Sequence, residues 1–529
     1  AIDLNAKWIG GPVTLILDDP AYPSEYFPIF FKNNPGSSAT NTLTIKPNSG
    51  NNAVISGTSN LSIIELQGID YFILDGSNNG SGSKNLTIQN TNNTSGTTGI
   101  QVSSFGGTNP ATNLTIKNSV IQCTPVHSSI VSIVGIKFSN VGGPYTNIKI
   151  HNNTIKGDFD AISLTGNATN IINNVEITNN IIGSENSSEY ITRIGINLQY
   201  TNNVLIRGND IMGPVEGSLN TGQTGVYVGT LSTNTTIQRN KIHGFVRTAD
   251  DGWGVSGIWY ASDASTVTEI SNNQLYDIHS PGINPGVGQN ITYGIFVRSG
   301  GNLHILHNSI SLTGQMSSSY DASSACIGFY YQATGNNNKI VNNILRNSMT
   351  FTGAPSIYGH PYGIMVSTDP ATLFTQIDFN DYFIDGTNGY IAQQYTNGYG
   401  TIVDYPTLAS WQAANLQDSH SVTIDPMFTA PANLLPTNSA LNNLGIYLPG
   451  VAVDFTNTPR SNPADIGAFE FGADPFVLTL TANSITSNSA IITGSANPAG
   501  STVNAYFDYG LTSTYGTSVT ATPAVVTGS

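Results

Sequence analysis

Ile177-Thr-Asn-Asn180-Ile-Ile182, Ile206-Arg-Gly-Asn209-Asp-Ile211 and Ile237-Gln-Arg-Asn240-Lys-Ile242 are three copies of one short pattern. It reads Ile, two residues, Asn, one residue, then Ile or Leu. Further copies begin at Ile116 (with Ser119 in place of Asn), Ile150, Ile270, Ile305 and Ile340. From Ser119 the fourth position advances by 34, 27, 29, 31, 33, 35 and 35 residues. A fixed motif at a variable period of this size indicates stacked coils, with the length differences pushed into loops.

A second pattern lies between the copies: a small residue, then Ile or Val, any residue, and an apolar residue. Gly195-Ile-Asn-Leu198, Gly225-Val-Tyr-Val228, Gly257-Ile-Trp-Tyr260 and Gly294-Ile-Phe-Val297 are examples, and Cys326-Ile-Gly-Phe329 fills the next slot. Apolar residues alternating with period two read as half-buried strands. The leading small residue suits a close backbone approach. Each repeat therefore supplies at least two short strands, which meet their own equivalents one coil later and so run parallel. The expected fold is all-β: a right-handed parallel β-helix, a solenoid of roughly twelve coils at about 4.8 Å each, followed by a partial β-sandwich. Irregular coil lengths without strict hexapeptides favour the right-handed form. In this reading Asn stacks on Asn at a turn, where its side chain can donate, accept and tolerate left-handed geometry.

Three segments follow. Residues 1–370 are expected to form the β-helix. Residues 371–472, with a short helical stretch around Trp411, are expected to cap it, since an open end exposes sheet edges. Residues 473–529 carry short strands without the coil motif and read as a β-sandwich module, shorter than the roughly 100 residues of such a fold.

Composition narrows the function. Charged residues make up 9% of the 529, and the net charge is -15. No basic stripe is available to neutralise phosphates, which argues against nucleic acid. No apolar run is long enough to span a membrane as a helix. Cys123 and Cys326 lie 203 residues apart, many rungs apart in a solenoid, so a bridge between them is not expected. Both read as buried thiols.

No residue set carries a complete catalytic signature. A glycoside hydrolase needs two carboxylates about 5–9.5 Å apart, for which Asp158 with Asp160, or Asp250 with Asp251, are available. A uronate lyase needs a base and a cation; Arg193, His243, Arg247 and Asp251 are the candidates, and calcium would be its cofactor if its oxygen ligands clustered. Otherwise no cofactor or metal is called for. The aromatic residues are more suggestive. The third position of the small-Ile-x-apolar strand should point outward, and in three successive coils it is Tyr227, Trp259 and Phe296. With Trp253 on the preceding loop, these form a candidate ligand-binding strip that could stack on sugar rings or receive a protein. Loops 246–256 and 279–292 are long enough to cover it.

Gly11-Pro-Val-Thr14, Tyr71-Phe-Ile-Leu-Asp-Gly76 and the Asn ladder together resemble secreted right-handed parallel β-helix repeat proteins of Bacteroidetes type. Phe379-Asn-Asp-Tyr382, Thr407-Leu-Ala-Ser-Trp-Gln412, Asp425-Pro-Met-Phe428 and Asp465-Ile-Gly-Ala-Phe-Glu470 resemble that family's C-terminal cap. Asn497-Pro-Ala-Gly500 with Phe507-Asp-Tyr-Gly510 is similar to fibronectin-type-III-like modules. These motifs specify the fold more than an activity. The low charge, the Asn-, Thr- and Ser-rich surfaces, the short sandwich module and the lack of a catalytic signature point to an extracellular or cell-surface protein, adhesin-like or structural, binding polysaccharide or another surface protein or associating with its own copies. The alternative is a carbohydrate-active enzyme on the same scaffold, a polysaccharide lyase before a glycoside hydrolase. Both termini look like cuts in a longer protein.

Overall fold

The computed structural model describes residues 5, 7–23, 25–124, 132–139, 142–216, 221–262, 266–283, 288, 290–317, 322–332, 337–351, 359–395, 402–472, 476–497, 502–512 and 514–527. Three long parallel sheets run the length of residues 13–395, and each coil gives one strand to each of them. In one coil these are Thr233–Gln238, Lys241–Arg247 and Val255–Ala261. The repeat thus supplies three strands, one more than the two sequence patterns mark. The first sheet runs from Val13–Leu17 to Phe374–Asp378, the second from Ala53–Gly57 to Asp381–Phe383, and the third from Ile29–Lys32 to Tyr390–Tyr395. All three go past residue 370, where the sequence pattern fades. The third is closed by the antiparallel strand Ile402–Tyr405.

The register follows the motif. Ile177, Ile206, Ile237 and Ile270 are partners in successive coils of the first sheet. Ile182, Ile211, Ile242 and Leu275 are partners in the second. Ile196, Val226, Ile258 and Ile295 are partners in the third. These rows meet in one continuous core. β-Branched residues suit such strands because their restricted side chains pack on a pleated surface, and each fully buried one contributes about 1.5–3 kcal/mol. The leading glycine is a matter of space. A Cβ on Gly257 would lie 2.6 Å from Leu275 Cδ2 and 2.8 Å from the Gly294 carbonyl oxygen.

The asparagines of the motif are buried and linked in series. Asn209 donates from both its backbone N–H and its side-chain amide to Asn240 Oδ1, at 2.9 and 3.0 Å. Asn240 does the same to Asn273, and Asn273 to Asn308, all at 2.9–3.0 Å. Each amide also donates to a backbone carbonyl; that of Asn240 reaches the Ile206 oxygen at 3.0 Å. The left-handed turn belongs to a different residue from the one expected. It is the position before the ladder Asn that takes positive φ, at Asn179 (55°), Arg239 (55°), Asn272 (54°), His307 (54°) and Asn342 (61°). Its side chain therefore points away from the core, while the ladder Asn points inward.

Beyond the last coil the chain closes the end and then turns back. The helix Leu408–Asn415, capped by Thr407, buries Trp411 against the core. The Trp411 indole N–H donates to Asp418 at 2.9 Å. Residues 425–471 then run along the corner of earlier coils, using the left-handed residues as pegs. Asn342 donates to the Ile446 carbonyl at 2.7 Å and Asn272 to that of Val453 at 2.8 Å. The buried Arg460 donates to Asn272 Oδ1 at 2.6 Å and to Glu470 at 2.9 Å. In the tail, Phe476–Thr479 pairs antiparallel with Gly494–Asn497, and Thr502–Tyr509 with Thr517–Thr527. No helix among the described residues is long and apolar enough to cross a membrane.

Candidate functional site: an aromatic cavity on the third sheet

The outward row of the third sheet has the expected order. Asn197, Tyr227, Trp259 and Phe296 are register partners in successive coils. The Tyr227 and Trp259 ring centroids are 6.2 Å apart, and those of Trp259 and Phe296 5.1 Å apart, both edge to face. The row does not make one flat exposed strip. Phe296 is 1% exposed, because Tyr293 of its own strand folds over it with ring centroids 4.5 Å apart. The next coil makes room for this: its outward residue is Gly328, where a Cβ would sit 2.2 Å from the Tyr293 ring. Ile291, Tyr362 and Met365 complete this small outer core. The expectation of Phe296 as a ligand contact is corrected accordingly.

Tyr227 and Trp259, half-buried, instead line a cavity of about 350 Å³ together with Trp253. Its polar lining is Arg193, Arg298, Asn197, Gln199, Gln223, Thr221, Thr224 and Asn290. Two buried polar atoms of these residues have no hydrogen-bond partner among the described residues: the Gln223 Oε1 acceptor and the Trp259 Nε1–H donor. Burial pushes the Tyr227 phenol up, with the positive charges of Arg298 and Arg193 acting against it.

The other candidates divide. Arg193 lines the cavity, but its guanidinium grips Asp160 through two hydrogen bonds, Nε to Oδ1 at 2.8 Å and Nη2 to Oδ2 at 2.5 Å. It also lies 4.5 Å over the Phe159 ring. Arg247 is fully buried. It pairs with Asp251 and donates to the Thr221 carbonyl at 3.1 Å, so it braces the cavity wall from behind. His243 lies apart on the second sheet, 2.8 Å from Asp210 and stacked on Tyr276. Of the four residues expected as a lyase constellation, Arg193 is therefore paired with Asp160, Arg247 with Asp251, and His243 is turned elsewhere. Asp158 is buried with its carboxyl held well above the ordinary range by desolvation, and Asp160 is committed to Arg193. Among the described residues no three His, Cys, Asp or Glu side chains gather as a cage for a metal ion.

Arg298, Gln223 and Asn290 were not singled out from the sequence. Arg298 stands two residues beyond Phe296, on the same side by alternation, and that spacing is the one signal that could have marked it.

The molecule is a parallel β-solenoid with an aromatic-lined cavity on one flank. No protein-family model matches the chain, and no curated protein is similar to it. Among solved structures it is similar to pectate lyase Pel9A, with a TM-score of 0.36 and 12% identity over 89% of this chain and 90% of that one. It is also similar to the Streptococcus pneumoniae surface protein and adhesin PfbA, with a TM-score of 0.32 and 14% identity over 73% of this chain and 90% of that one. For the periplasmic alginate epimerase AlgG the TM-score is 0.27, with 12% identity over 73% of this chain and 85% of that one.

Proposed function

We propose that this chain is an extracellular glycan-binding rod that holds polysaccharide without cleaving it. The observation carrying this reading is the cavity itself. Tyr227, Trp253 and Trp259 offer ring faces, and the Gln223 carbonyl and the Trp259 N–H are left wanting a donor and an acceptor. A sugar ring supplies an apolar face for stacking and hydroxyls that both donate and accept. The pocket's size and its mixture of aromatic walls with a few polar groups suit a small saccharide unit. Its described lining contains no Asp, Glu, His or Lys. The phenol of Tyr227 is pushed up, away from the ionised form a base would need. Both facts favour binding over the lyase alternative. The low charge and the Asn-, Ser- and Thr-rich surface support a cell-surface setting, with the tail as a fibronectin-type-III-like spacer. The test is a glycan array comparing wild type with Trp259→Ala, together with incubation on uronate polymers followed at 235 nm. Loss of glycan signal in the variant with no rise in absorbance is expected. Equal binding by both proteins would overturn the site, and release of unsaturated products would overturn the non-catalytic reading.

A further inference from the structure

Resting on that reading, we propose that the bound glycan is acidic, and that Arg298 reads a sugar carboxylate at the rim of the aromatic cavity.

The cavity holds two cations in unequal positions. Arg193 has its fork filled by Asp160. Arg298 is exposed, and among the described residues it has neither a hydrogen-bond nor an ion-pair partner. It stands in a chain of net charge -15, where carboxylates are the more abundant charged group. With the charge of Arg193 balanced by Asp160, a guanidinium without a partner among the described residues concentrates positive potential at its own point of the cleft.

The backbone aims it there. Along the strand Thr292–Ser299 the pairing with Val255–Ala261 is regular through Val297, which faces Tyr260, and then jumps, so that Ala261 faces Ser299. Arg298 is the extra residue of a β-bulge. The pairing with the following strand, Ser324–Gln332, is irregular at the same point. A bulge bends the strand and redirects a side chain, which is its common use beside binding sites. Here alternation already puts Arg298 on the outward side with Phe296, and the bulge frees its backbone from the paired register at that point. Its field reaches the Tyr227 hydroxyl across the cavity.

The parts fit a uronic acid unit. The pyranose face stacks on Trp259 with the Tyr227 ring, set at 62° to it, against the sugar's edge; one hydroxyl donates to Gln223 Oε1, and the carboxylate takes the planar two-donor fork of Arg298. Among the described lining residues Arg298 is the one cation without a partner, which implies one carboxylate read per bound unit.

Calorimetric titration tests this with three probes: a uronate oligosaccharide, the same oligosaccharide with its carboxyls methyl-esterified, and a sulfated neutral oligosaccharide of equal length. The wild type is expected to bind the uronate at least tenfold more tightly than its ester, with the preference shrinking as salt rises. Arg298→Gln, a change at an exposed position, is expected to abolish the preference for the uronate over its ester while leaving the melting temperature unchanged. Equal binding of acid and ester by the wild type, or a preference that survives Arg298→Gln, would overturn the inference while leaving glycan binding in place. Tighter binding of the sulfated probe than of the uronate would overturn the carboxylate assignment. If no probe binds and Trp259→Ala is silent on the array as well, the glycan reading falls with it.

Discussion

Asn380 donates its backbone N–H to the Ser421 hydroxyl at 2.8 Å. This contact ends the buried asparagine ladder, in which each earlier member donates to the next. Ser119 begins it, giving its N–H to Asn153 Oδ1 at 3.1 Å. Ser421→Ala therefore leaves a buried N–H without an acceptor, at a cost of about 1–3 kcal/mol. Asn240→Leu in mid-ladder should cost more, roughly 3–5 kcal/mol, because it orphans groups on Asn209, Asn273 and Ile206 at once. Thermal denaturation should rank the variants in that order. Hydrogen exchange should show the Ser421→Ala loss confined to the last coil, and the Asn240→Leu loss spreading to both neighbouring coils.

Arg460 is the main fastening of the returning segment 425–471. Fully buried at its charged end, it joins Glu470, Asn272 and the Gly467 carbonyl. Arg460→Met removes the charge from beside Glu470 and leaves that carboxylate half-buried and unpaired. Breaking a buried pair on one side costs about 3–5 kcal/mol. Limited proteolysis is the readout: cleavage within 425–471 should quicken well before the solenoid melts, since the three sheets do not depend on this contact.

Two carboxyls beyond the last coil carry a pH signature. Burial, reinforced by the negative charge of Glu470, pushes the Asp465 carboxyl up to about 7, against the hydrogen bonds from Phe471 and Asn443 and the nearby Arg460. Asp418 is pushed up to about 6, chiefly by burial. Each group holds a proton in the fold at pH values where the unfolded chain has released it. Its stabilisation is complete below about pH 4, the ordinary carboxyl range, and is lost as pH rises through its raised folded value. His307, buried and held well below its ordinary value, contributes in the opposite sense. The clean measurement is therefore a difference: the melting temperature of wild type minus that of Asp465→Asn, followed from pH 4 to pH 8. It should fall with pH, most steeply between about 5 and 6, where the unfolded carboxyl has ionised and the folded one has not, and level off as pH passes 7. A flat difference would show that Asp465 titrates alike in the folded and unfolded chain.

The solenoid was legible because its rules are one-dimensional. A residue that recurs once per coil stacks on itself, so the Ile rows, the Asn ladder and the order Tyr227, Trp259, Phe296 all followed from spacing. What spacing could not supply was anything running across the rows. The cover on Phe296 comes from Tyr293, three positions earlier in its own strand, and from the missing side chain at Gly328 one coil on. Arg193 and Asp160, or Arg247 and Asp251, look like free charges in a sequence until the fold closes each pair. The ninth ladder member, Asn380, was hidden because its motif ends in Tyr382 instead of Ile or Leu. The bulge at Arg298 has no residue signature of its own.

Gly328 offers a way to lengthen the aromatic row. In Gly328→Ala the new Cβ would fall 2.2 Å from the Tyr293 ring, so that ring must leave its stack on Phe296. Overpacking of this kind costs about 1–3 kcal/mol, and the melting temperature should fall to match. The displaced ring uncovers Phe296 beside Trp259, adding a third aromatic side chain next to the two at the cavity. If rings along this row hold the glycan, the variant should lose stability yet bind longer oligosaccharides more tightly than wild type does, with short ones unaffected. A loss of stability with no change in length preference would place the whole binding contribution on the cavity and none on the row beyond it.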